Sequence, residues 1–217
     1  MFLLPYHVDV PMSRWPIMNF LLIGGTVVLF VMLRARLVCP AEIEPYILQL
    51  GEPNGIYGHI FVHLGALHIF GNMMSLWVFG NAVCAKIGNL TFIVAYLVLG
   101  CIAGLTHLLI DGAPAIGASG AINGVVGMYL VFYPTNNITC FYWFIFRIGT
   151  FSVSSIWIIL LFLAFDIHGV ATGGGQVAYW AHLGGFASGF LLASLLLYSG
   201  LVKMTPTEDS LYKVLRS

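Results

Sequence analysis

Residues 116–133 read IGASGAINGVVGMYLVFY, and none of their side chains is charged. A run this long and this apolar reads as a membrane helix. Its first turn is unusual, because Gly117, Ala118, Ser119 and Gly120 put a hydroxyl among small residues. Gly117, Gly120, Gly124 and Gly127 line one side of the run, and small residues of this kind let helix backbones approach closely in lipid.

Five further stretches have the same character, at residues 16–33, 60–83, 90–110, 148–165 and 177–201. Of the 217 residues, 60% are hydrophobic and 7% are charged, against about 25% charged in soluble domains. The mean hydropathy is +0.98. The expected fold is therefore an all-α integral membrane protein, a six-transmembrane-helix bundle. The division expected is residues 1–15 as a cytoplasmic N-terminal segment, 16–201 as the membrane core and 202–217 as a cytoplasmic C-terminal tail.

Charge fixes the expected orientation. With the N-terminus inside, the cytoplasmic segments hold Arg14, Lys86, Arg147, Lys203, Lys213 and Arg216, and the other side holds only Arg34 and Arg36. This asymmetry follows the positive-inside rule and gives an N-in/C-in arrangement. On this reading Glu42, Glu44, Glu52, Asp111 and Asp166 all fall outside, and no carboxylate lies within a span. Residues 166–176, with Gly173-Gly174-Gly175, are expected to be a mobile outer loop. The zero net charge and absence of a basic face exclude nucleic acid as a partner. Cys39, Cys84, Cys101 and Cys140 form no CxxC pair, so neither a disulfide framework nor a zinc site is expected.

Polar side chains inside membrane helices are costly and mark function. The second stretch carries His63, His68 and Asn72, the fourth Ser119, and the sixth His182. His68 and Asn72 are four apart and share a helix face. Spans two, four and six all run inward from the outer side, so these groups share one depth beneath it. A serine hydroxyl needs a base to become a nucleophile, and His182 is the natural one. With no carboxylate in a span, the pair is expected to work as a dyad. Asn72, His68 and the Ser119 backbone N–H are candidate donors to a developing oxyanion. His63 is read as a structural histidine bonded to loop backbone. A histidine proton relay in a transporter would leave the Gly-Ala-Ser-Gly element unexplained, and no inverted repeat is visible. A metalloprotease would need HExxH, which is absent.

At these residues the chain resembles the rhomboid family of intramembrane serine proteases. The matching signatures are His63-x4-His68-x3-Asn72, Gly117-Ala118-Ser119-Gly120, and Ala181-His182-x2-Gly185-x3-Gly189. The resemblance covers roughly residues 15–200 and implies a rhomboid-like bundle. It implies Ser119 as nucleophile, His182 as base, and oxyanion or substrate contacts from His68, Asn72 and Gly117. It further implies single-pass transmembrane protein substrates, cut near the outer face of a plasma or inner membrane. No cofactor or metal is implied, and the oligomeric state is left open. The alternative is a rhomboid-like pseudoprotease that binds membrane helices without cutting. Many rhomboids carry a tyrosine one turn after the serine; Asn123 stands here.

Overall fold

The computed structural model describes residues 2–144, 146–173 and 177–216. Four of its helices are long and apolar enough to cross a membrane: α1 (Ile17–Arg34), α4 (Asn89–Ile110), α6 (Ser155–Thr172) and α7 (Tyr179–Tyr198). A fifth candidate is a bent pair, Gly55–Phe61 followed by the continuous helical segment Ala66–Ile87, with 94° between the two parts. That segment comprises α2 (Ala66–Ser75), a π-helical turn (Leu76–Gly80) and α3 (Asn81–Ile87). The remaining apolar helix, α5 (Ser119–Phe132), has 14 residues and is about 21 Å long, well under the ~30 Å of a hydrocarbon core.

The length of α5 goes with its position. From Gly120 to Phe132 every residue except Asn123 is buried, whereas the hydrophobic windows of α1, α6 and α7 are only 17–22% buried. The outer helices turn side chains such as Val28, Leu161 and Leu195 away from the protein, as lipid-facing surfaces do. This short helix is thus the central post. It packs along α7, with α4 against both. A Cβ on Gly189 would overlap the Gly124 carbonyl, and one on Gly185 the Gly120 carbonyl. These glycines set how near α7 can come to α5.

The π-helical turn is held by α1. The buried Asn19 donates to Leu76 O and to Asn81 Oδ1, both at 2.8 Å, which supplies a donor to a backbone carbonyl at an irregular point of the helix.

Two expectations need correction. The helix of the fifth apolar run begins at Ser155 and not at residue 148, because residues 147–154 form a strand. Strands β2 (Asn137–Phe144) and β3 (Arg147–Ser154) pair antiparallel, and β1 (Phe2–Val8) pairs with β2. The bundle is therefore mostly helical with one three-stranded sheet. Aromatic and β-branched residues suit a strand as well as a membrane helix, which is why Ile148, Phe151 and Val153 look like the start of a span. Second, residues 166–172 are the last turns of α6 and not loop; Gly174, Gly175 and Gln176 lie outside the described residues.

The two ends of the bundle differ. At one end lie the sheet and the C-terminal segment, where the buried Glu208 pairs with Lys86 and accepts from Tyr133 Oη at 3.2 Å. At the other end α2, α5 and α7 begin and α4 and α6 finish. The candidate site is at this second end.

Candidate active site

The long connection after α1 folds over this end and fixes the start of α5. Leu48 and Ala115 exchange backbone hydrogen bonds of 3.0 and 2.9 Å. Gly117 N–H donates to His59 O at 2.8 Å, and the His59 ring is tied by Nδ1 to Gly55 O at 2.7 Å. Gly117 has φ +113°, in the region that favours glycine. A Cβ there would lie 2.6 Å from both Cε1 and Nε2 of His68. Gly117 thus turns the chain into α5 and leaves room for the His68 imidazole.

His63 lies in the link between the two parts of the bent pair, so its ring can fold back on α2. Its Nε2 is 2.8 Å from Asn72 Nδ2 and 3.4 Å from Ala118 N. The Ala118 N–H only donates, so His63 Nε2 is the acceptor and its proton sits on Nδ1. Nδ1 in turn faces Phe61 O at 3.3 Å. This histidine therefore does more than bond loop backbone: it fixes the Asn72 amide and the residue before Ser119. Its ring centroid is 4.9 Å from that of His68.

Ser119 is the first residue of α5, so its N–H is among the helix-start donors that have no intrahelical acceptor. Ser119, His182, His68 and Asn72 line one cavity of about 1030 Å³. Gly117 is buried behind it, against His68. Among the described residues no direct hydrogen bond joins the Ser119 hydroxyl to His182. Asn123 also lines the cavity and donates to Ser119 O at 3.0 Å.

The expectation that no carboxylate reaches His182 is overturned. Asp166 is buried on α6, and its Oδ1 is 2.7 Å from His182 Nδ1. A carboxylate only accepts, so Nδ1 carries a proton, and in the neutral ring Nε2 is the nitrogen with the lone pair. Tyr179, one turn before His182 on α7, meets the imidazole edge-on with centroids 6.3 Å apart. Sequence reading places Asp166 in the outer loop. The available signal is a single acidic residue that directly follows the apolar run at residues 156–165, with Gly169 about one helical turn beyond it.

A polytopic helical membrane protein with a serine and a histidine lining one cavity at one end of its helix bundle defines the class. The Rhomboid domain family model matches residues 51–199. Rhomboid protease GluP of Bacillus subtilis (strain 168) is 28% identical over 189 residues, which is 83% of this chain and 35% of that protein. The chain spans about a third of the length of that curated relative. The chain belongs to the rhomboid family of intramembrane serine proteases.

Proposed function

We propose that the chain is an intramembrane serine endopeptidase that cuts transmembrane proteins at a Ser119–His182 pair. The observation that carries this reading is the meeting of Ser119, His182, His68 and Asn72, drawn from α5, α7 and α2, in one cavity at one end of the bundle. His182 takes the Ser119 hydroxyl proton at Nε2 as Oγ bonds to the scissile carbonyl carbon. The carbonyl oxygen gains the charge and is met by donors from Asn72, His68 and the Ser119 N–H. The C–N bond then breaks, and the proton on Nε2 passes to the leaving amine. Water, deprotonated by the same nitrogen, attacks the acyl-enzyme and frees Ser119.

The bent pair and the short α5 count as spans in this reading, giving six with both termini cytoplasmic. The cavity then opens to the outer face. Beside its polar groups the cavity has apolar walls from Leu67, Val126, Phe162 and Phe165, suited to the outer end of a single-pass transmembrane helix. Such a helix must unwind locally to present its backbone, which small or helix-breaking residues make easier. A fluorogenic transmembrane substrate in bilayers tests the reading. Wild type should cleave it near the outer end of its helix, and Ser119→Ala should not. Equal turnover by the two proteins would refute the nucleophile, and cutting at the cytoplasmic end would refute the orientation.

A further inference from the structure

We infer that Asp166 is a positioning residue for His182, so that the base is held by a carboxylate. This rests on the reading of Ser119 and His182 as the reacting pair. An aspartate within an apolar helix is costly unless partnered, and Asp166 is only 7% exposed. Its described side-chain partner is His182 Nδ1 at 2.7 Å.

The contact is built into the packing of α6 on α7. Asp166 and Gly169 are three apart on α6, and Tyr179 and His182 three apart on α7, so each pair shares a helix face. The Tyr179 ring fills the place a side chain at Gly169 would take, since a Cβ there would overlap the ring. That seat fixes the register of the two helices and brings Asp166 opposite His182.

A neutral imidazole can offer either nitrogen. The Asp166 carboxylate selects the form with the proton on Nδ1, leaving Nε2 to take the serine proton. Asn123 bonds to Ser119 O and carries no ring to cover the histidine. The support therefore comes from Asp166 on one side and Tyr179 on the other.

Asp166→Asn, Asp166→Ala and Asp166→Glu test this in the full chain. Thermal unfolding first establishes that each folds. The two neutral variants should lose about 100-fold in kcat with KM changed by less than about twofold, as expected for a base whose tautomer is no longer held. Asp166→Asn should also stay well below wild type, because its uncharged amide can turn either its oxygen or its N–H to Nδ1 and no longer selects one tautomer. A purely structural role predicts near-wild-type kcat in Asp166→Asn, since asparagine keeps the shape. Asp166→Glu should recover at least about tenfold of the loss. At a pH where the ring is neutral, nitrogen-15 spectra of labelled histidine should show Nδ1 protonated and Nε2 unprotonated for His182 in the wild type, and a mixture or reversal in Asp166→Ala. A kcat within about threefold of wild type in Asp166→Asn, or an unchanged tautomer in Asp166→Ala, overturns the inference. Should the neutral variants fail to fold, the wild-type spectrum decides, and a neutral His182 with its proton on Nε2 overturns it. A wild type no more active than Ser119→Ala would sink the protease reading alone, with the tautomer spectra still deciding the role of Asp166.

Discussion

Asn72 donates its side-chain amide to Nε2 of His63 at 2.8 Å, joining α2 to the link that precedes it. The same nitrogen faces Ala118 N, next to Ser119. One imidazole thereby relates a candidate oxyanion donor to the start of the serine helix. His63→Leu keeps much of the volume and removes the acceptor. It should cost about 1–3 kcal/mol in stability through the orphaned donors and lower kcat by about tenfold or more, with KM little changed. Thermal unfolding and steady-state kinetics on a transmembrane substrate measure both effects.

Gly117→Ala should act on the same region from the other side. Its φ of +113° strains any side chain, and the new Cβ would press on the His68 ring. Displacing that ring should reduce kcat by about 10–100-fold. The melting temperature should fall only modestly, by an amount matching about 1–3 kcal/mol of local strain. Retention of full kcat would show that the position of His68 is immaterial to turnover.

Gly189→Val and Gly24→Ala should behave oppositely. Gly189 backs onto the Gly124 carbonyl, and any side chain there forces α7 away from the central helix. That variant should fail to fold or lose more than about 3 kcal/mol, as overpacking between backbones allows no local relief. Gly24 on α1 has nothing within 4 Å of its would-be Cβ, so alanine there should leave stability unchanged or slightly raised. Melting curves in detergent separate the two.

The C-terminal segment should be released by acid. Burial opposes ionisation of Glu208, but hydrogen bonds from Lys86 and Thr205 outweigh it and hold the carboxyl below its ordinary value of 4.5. A carboxylate with a lowered folded-state pKa stabilises fully above the unfolded value and loses that contribution as pH falls through the folded one. The contribution of Glu208 to stability should therefore be flat above about pH 5 and decline below about pH 4. Glu208→Gln should be less stable than wild type at neutral pH, and the gap should close in acid. A gap that persists at low pH would show that the Lys86–Glu208 pair is not its source.

Much of the helical pattern was legible because lipid allows few polar residues, so His63, His68, Asn72, Ser119 and His182 stand out against apolar runs. The helix bounds near residues 17, 34, 89 and 110 fall where the hydropathy changes. Three features were hidden. Asp166 sits where α6 leaves its most apolar part, and ending the span at Phe165 turned a buried helical residue into a loop residue. The strand pair at residues 137–144 and 147–154 was hidden because alternation in its aromatic residues resembles helix-compatible apolarity over so short a length. The fold-back of His63 depends on the 94° bend, which no local propensity specifies. Spacing put His63 and His68 on one helix, whereas α2 starts only at Ala66.

The central claim is that Ser119 is a nucleophile activated by His182. Its most direct measurement is labelling with a fluorophosphonate probe in bilayers, followed by mass spectrometry of the modified peptide. The account predicts a single adduct on Ser119 in the wild type, none in Ser119→Ala, and labelling slowed by about 100-fold or more in folded His182→Ala. An adduct on another side chain, or equal labelling of the wild type and Ser119→Ala, would contradict it.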